Sequence, residues 1–108
     1  MRTEELKHKI TFQKLTAITN ENGFEVEVWE DYSTVWAAVS NLIGREYFAA
    51  AAVQAEKTVK FTIRYLQGIT DDMRILFEDK QYNITFIDNI KYRNKYIEIK
   101  ALEVENSG

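Results

Sequence analysis

The chain has one histidine, His8, and no cysteine. Those two residue types carry much of the nucleophilic and acid–base chemistry of proteins, so little machinery is on offer. A nucleophile–imidazole–carboxylate set would have to be built around His8, with Ser33 or Ser40 as the nucleophile. Neither serine has the flanking glycines of a nucleophile elbow. His8 itself opens a strand near one end of the chain, where a solvated imidazole is the plain reading. The adjacent carboxylates are Glu30-Asp31, Asp71-Asp72 and Glu78-Asp79. Glycosidase-type chemistry needs two acids facing each other across a cleft. Sequence neighbours of this kind are expected in turns, where Asp bonds its own backbone. The lack of cysteine excludes disulfides and thiolate metal sites. No stretch resembles a calcium loop. Gly23, Gly44, Gly68 and Gly108 are too scattered to cradle a phosphate. The expectation is a protein with no enzymatic activity, no metal and no cofactor.

Binding remains. The 108 residues suit one domain spanning 1–108, with 1–6 and 105–108 expected to fray. Hydrophobic residues make up 45% and charged residues 29%, the profile of a globular protein. Fourteen basic and seventeen acidic residues give a net charge of −3, with the signs interspersed. That argues against binding nucleic acid mainly by phosphate neutralisation. Two stretches, "KFTIRYL" and "IKYRNKYIEIK", do interleave aromatics with bases, as single-strand-binding barrels do. In 59–65, however, the aromatics share the parity of the core residues. No apolar run approaches the ~18 residues of a membrane span, and "MRTEELKHK" has no signal-peptide core. The expectation is a chain kept in the cytoplasm until it assembles with something, and without a membrane partner.

The elements follow from period and turn chemistry. Residues 8–15 alternate, with Ile10 and Phe12 on one face. "TNENGF" is a turn centred on Asn22-Gly23. "EVEVWE" (25–30) and "YSTVWAAV" (32–39) read as two further strands, with Asp31 marking a turn or bulge between them. In "TVKFTIRY", Val59, Phe61, Ile63 and Tyr65 face one way and Thr58, Lys60, Thr62 and Arg64 the other. "MRILFED" is a short strand, followed by a tight connection at Asp79-Lys80. "QYNITFIDNI" puts Tyr82, Ile84 and Phe86 on one face. "KYRNK" is a charged loop, and the last strand turns Ile97 and Ile99 inward. Six or seven short strands suggest a sandwich or a barrel. Barrel closure removes the exposed strand edges that an aromatic-rich sheet would otherwise present. The expected class is mainly β: a small antiparallel six- to seven-stranded barrel with one inserted helix at about 44–56.

That helix is thin. Tyr47, Phe48, Ala51, Ala52 and Ala55 recur at helical spacing. Alanine favours helix but buries little area, so close approach of another backbone is its natural use. Either the helix packs on its own barrel or a neighbouring subunit completes it. The candidate subunit or partner interface is Arg45, Glu46, Tyr47, Phe48, Ala51, Ala52 and Ala55. Lys91, Tyr92, Arg93, Lys95 and Tyr96 form a candidate loop for contacting a partner or DNA.

From about Lys7 to Val104 the chain resembles the phage head–tail joining proteins, the adaptors or head-closure stoppers of long-tailed phages and prophages. The resemblance rests on features in order: "HKITFQKLT"; then Gly23, Trp29, Trp36 and Ala37; then Gly44, Glu46, Gln54, Ala55, Thr58 and Arg64; then Gly68, Met73, Arg74, Tyr82 and Ile84. The turn "EDKQ" departs from the pattern in lacking a glycine, and "NIKYRNKY" in its wealth of aromatics and bases. The resemblance implies a non-enzymatic structural role, in a ring below the portal that closes the DNA-filled head and joins it to the tail. It implies these partners: copies of itself, a portal-side adaptor ring, a tail-side connector or terminator, and double-stranded DNA in the channel. The free protein is expected to be monomeric or weakly associated in the host cytoplasm, and the assembled protein to sit in the virion. The alternative is a small barrel that binds single-stranded nucleic acid.

Overall fold

The computed structural model describes residues 6–42, 48, 57–90 and 95–104. Six strands follow in chain order: β1 (His8–Thr19), β2 (Glu25–Asn41), β3 (Thr58–Arg64), β4 (Arg74–Phe77), β5 (Lys80–Asn89) and β6 (Tyr96–Glu103). All pairings are antiparallel, and the strands close into a barrel in the order β1-β2-β3-β6-β5-β4. The expected mainly-β barrel is the fold. The helix expected at 44–56 lies outside the described residues except at Phe48, which is helical and exposed.

The core follows the period-two reading. Ile10, Phe12, Phe61, Ile63, Ile75 and Ile99 are sealed from solvent. The Phe61 ring meets Tyr82 and Phe77 edge-on at 5.3 and 5.9 Å. Each such side chain contributes about 1.5–3 kcal/mol by leaving water. The weak seam is β1 with β4, where pairing spans only Thr11–Gln13 against Arg74–Leu76.

Two irregularities correct the sequence reading. The strands expected at 25–30 and 32–39 are one 17-residue strand. Phe12 pairs with Ser33 and Gln13 with Asp31, so Tyr32 is an extra residue. This bulge absorbs the break in period that resembled a turn, and it places Glu30-Asp31 in a strand. A second register shift sets Ile84 opposite Ala101 and Phe86 opposite Lys100, leaving Thr85 over. The Thr85 hydroxyl donates to the Lys100 carbonyl at 3.0 Å. Phe86, expected inward beside Ile84, is therefore turned out, 53% exposed.

Smaller corrections lie in β3 and the β4–β5 turn. Thr58 and Thr62, expected in solvent, are buried. Thr62 sits between Ala38 of β2 and Glu98 of β6, where Lys60 and Glu98 meet at 4.0 Å. Tyr65 leaves the inward face: it lies past the end of β3, is exposed, and donates its N–H to the Lys95 carbonyl. The tight connection is Glu78-Asp79, one residue earlier than expected, with φ of +49° and +66°. Both positions of such a two-residue turn need positive φ.

Beyond the barrel, β1 and β2 continue together. From Lys14–Glu30 to Thr19–Glu25 they pair only with each other among the described residues. They form a two-stranded arm of about 20 Å at ~3.3 Å per residue, and the molecule is elongated, 51 × 31 × 23 Å. The arm ends in a tight loop. The Asn20 carbonyl accepts from Gly23 N–H, and its side-chain oxygen accepts from Asn22 and Phe24 N–H, each at 3.0 Å. Gly23 has φ +82°, the left-handed position that closes a three-residue hairpin loop.

Candidate functional site: the barrel–arm junction and its crevice

An isolated two-stranded hairpin is marginal in water, so the arm needs an anchor. The anchor is a polar cluster on the outer face of the β1–β4 seam. Arg74 donates from Nε to Gln13 Oε1 at 2.8 Å and from Nη1 to Gln81 Oε1 at 3.3 Å. Gln13 in turn donates from Nε2 to Asp31 Oδ1 at 2.7 Å. The guanidinium also lies 4.3 Å from the centre of the Trp29 ring, a cation–π contact. One side chain of β4 thus ties together β1, β2 and β5 across the shortest seam. Burial pushes the Arg74 pKa down from its ordinary value, and arginine remains charged all the same.

A second tie lies beside it. The bulged residue Tyr32 donates from its hydroxyl to the Gln67 carbonyl at 3.0 Å. The Tyr32 oxygen would stand only 2.2 Å from a Cβ at Gly68, whose φ is +92°. Glycine is required there for both backbone and space. Lys14 Nζ covers the other side of the Tyr32 ring at 5.6 Å.

The sequence pointed to Trp29, Gly68 and Arg74 but not to what they do together. Gln13, Asp31, Tyr32 and Gln81 were missed. Their one visible signal was the break in alternation at Asp31.

The remaining sequence candidates are placed as follows. His8 meets Phe77 edge-on at 5.5 Å and shares a surface depression with Ser40, but no hydrogen bond joins His8 to Ser40 or Ser33. Asp71-Asp72 lies in a turn as expected, with Asp72 accepting from the Thr70 hydroxyl. Among the described residues no cluster of three or more His, Asp or Glu could hold a metal ion. Of the helix candidates, Arg45, Glu46, Tyr47, Ala51, Ala52 and Ala55 lie outside the described residues, and Phe48 is 86% exposed. Of the loop candidates, Lys91, Tyr92 and Arg93 lie outside them, Lys95 is exposed and Tyr96 is half-buried in β6.

Two surface aromatics outside the arm pair with lysines: Trp36 with Lys9 at 5.3 Å and Phe86 with Lys100 at 5.5 Å. The first pair sits on the β1–β2 seam and the second on the β5–β6 seam, opposite sides of the ring of strands. They do not form one track for a nucleic-acid strand.

An outer crevice of about 620 Å³ is lined by Leu6, Thr34, Val35, Trp36, Arg64, Tyr65 and Leu66. At the open end of the barrel, Lys80 pairs with Glu103 at 3.3 Å, and that bond and charge raise the Lys80 pKa. Burial, followed by the Glu103 charge, raises the pKa of neighbouring Tyr82.

The structure is thus a closed barrel with a clamped arm and an apolar outer crevice. Comparison with known proteins gives its family. The family model for phage head completion proteins matches residues 1–105. The chain belongs to the phage head completion protein family. Among solved structures, a protein of Shigella flexneri 2a determined in solution is 28% identical, with a TM-score of 0.77 over 99% of this chain and 100% of that one. A chain of the virion of a native gene transfer agent particle shares the fold at 16% identity, with a TM-score of 0.58 over 92% of this chain and 96% of that one. No curated protein matches the chain. As a head completion protein, it is a structural component of the virion.

Proposed function

We propose that this head completion protein works without catalysis, as a subunit of a ring that closes the DNA-filled head and joins it to the tail. The observation that carries the reading is the family match over residues 1–105. The geometry supports it: a closed barrel gives a stiff body, and an anchored arm gives one body a reach to the next. A ring of identical copies needs two different patches on each subunit. The neighbours in this reading are a portal-side adaptor ring and a tail-side connector or terminator. Packaged double-stranded DNA lies in the channel, and an excess of acidic groups keeps the wall from gripping it. Arg45, Glu46, Tyr47, Phe48, Ala51, Ala52 and Ala55 are proposed for the subunit contact or the channel. Lys91, Tyr92, Arg93, Lys95 and Tyr96 are proposed for a neighbouring protein or the DNA.

Electron microscopy of particles made without this gene product tests the reading. Heads that package DNA, lose it and carry no tails, with free tails beside them, are the expected result. Normal tailed particles would refute it.

A further inference from the structure

We propose that the arm tip of one copy, led by Phe24, seats in the Trp36–Tyr65–Leu66 crevice of the next copy, with the acidic arm facing Arg64 and Lys9. This contact rests on the ring reading and names the two patches that such a ring requires.

Phe24 stands at the tip with 67% of its surface in water. Ile18 is also exposed, and it pairs with Val26 on the same face of the arm. The crevice offers matching apolar walls, since Trp36 and Tyr65 are exposed at 53% and 40% and line a volume in the range of ligand pockets. An exposed aromatic and an apolar recess are the two halves of an anchor-and-pocket protein interface.

Charge selects the same pairing. Between Lys14 and Asp31 the arm carries Glu21, Glu25, Glu27, Glu30 and Asp31 against the single cation Lys14. No cation pairs with Glu21, Glu25 or Glu27 among the described residues. At the crevice, Arg64 likewise has no carboxylate partner among them, and Lys9 lies over Trp36. Opposite potentials across a contact steer encounter and fix its register.

Geometry then requires a second copy. β2 joins tip to crevice: Phe24 stands just before the strand and precedes Val35 by eleven residues. At ~3.3 Å per residue they stand roughly 35 Å apart on one rigid strand. No chain can place its own tip in its own crevice. The contact is head-to-tail, the kind that closes into a ring when the rotation per copy allows.

The chain has no cysteine, so introduced thiols report alone. Asn22→Cys at the tip combined with Thr34→Cys at the crevice alters two exposed positions. In intact particles the pair should give a ladder of disulfide-linked multimers, and either single variant should give none. A variant incorporated into DNA-filled particles without a ladder overturns the contact and leaves the ring reading standing. Normal particles lacking the protein altogether overturn both. A second readout is charge exchange. Glu25→Arg or Arg64→Glu alone should lower incorporation about tenfold, equivalent to ~1.4 kcal/mol, and the two together should restore it. Failure of the double variant to restore incorporation overturns the proposed charge pairing.

Discussion

Arg74→Met tests whether the arm is clamped as described. The substitution keeps an unbranched apolar stem but removes both hydrogen bonds and the charge over Trp29. Loss of a cation–π contact in a partly desolvated site costs about 0.5–2 kcal/mol. Gln13, only 8% exposed, is left with an unsatisfied carbonyl oxygen, which costs about 1–3 kcal/mol. Together these come to roughly 1.5–5 kcal/mol, a large share of the ~5–15 kcal/mol of an ordinary domain. In urea, with a slope of about 1–3 kcal/mol per molar, the midpoint should fall by about 0.5 M or more. Arg74→Lys should lie in between, because one ammonium cannot reach Gln13 and Gln81 with a planar fork. A local report comes from Trp29 emission in a Trp36→Phe background, which removes the other tryptophan. That emission should shift red as the indole loses its cover. An Arg74→Met midpoint within about 0.3 M of the parent, with unchanged Trp29 emission, would refute the clamp.

Two further predictions concern the junction and the open end of the barrel. Gly68→Ala forces a side chain at φ +92° and drives a Cβ against the Tyr32 hydroxyl, so it should destabilise by about 2–3 kcal/mol from strain and a displaced hydrogen bond. The cost should shrink in a Tyr32→Phe background, measured as a double-mutant cycle; equal costs in both backgrounds would count against the contact. Stability should also fall at alkaline pH. Lys80 and Tyr82 have raised pKa values in the folded state, so their contribution is complete below the unfolded values of about 10 and is lost as pH rises through the folded ones. Tyr82→Phe should flatten part of the decline in urea midpoint above pH ~10, and an unchanged slope would exclude Tyr82 as a source.

How much of this was legible in the sequence depended on whether period or register carried the information. Ile10, Phe12, Phe61, Ile63 and Ile99 were readable because alternation alone assigns them to the core. Phe86 was not, because one extra residue at Thr85 inverts every later parity, and nothing in "NITFID" marks where the extra residue falls. Tyr32 hid a 17-residue strand in the same way. Glu78-Asp79 concealed its turn because it adopts positive φ without glycine or asparagine. The Arg74 cluster joins positions 13, 31, 74 and 81, which come together only through closure of the β1–β4 seam. A motif series can list Trp29 and Arg74 without revealing that one lies over the other.

The placement of those residues bears on assembly. Gly23 shapes the arm tip, Trp29 and Arg74 clamp its base, and Gly68 makes room for the bulge residue that ends it. None of the four lines the crevice. They act on the direction of the arm, whatever the arm touches. In the proposed ring that direction is decisive, because every copy repeats the same rotation and any looseness repeats with it. A hinged arm would admit rings of several sizes or an open filament. Three side-chain hydrogen bonds and a stacked cation hold the base of the arm to the barrel. In the proposed ring the clamp sets the direction of the arm and the crevice supplies affinity.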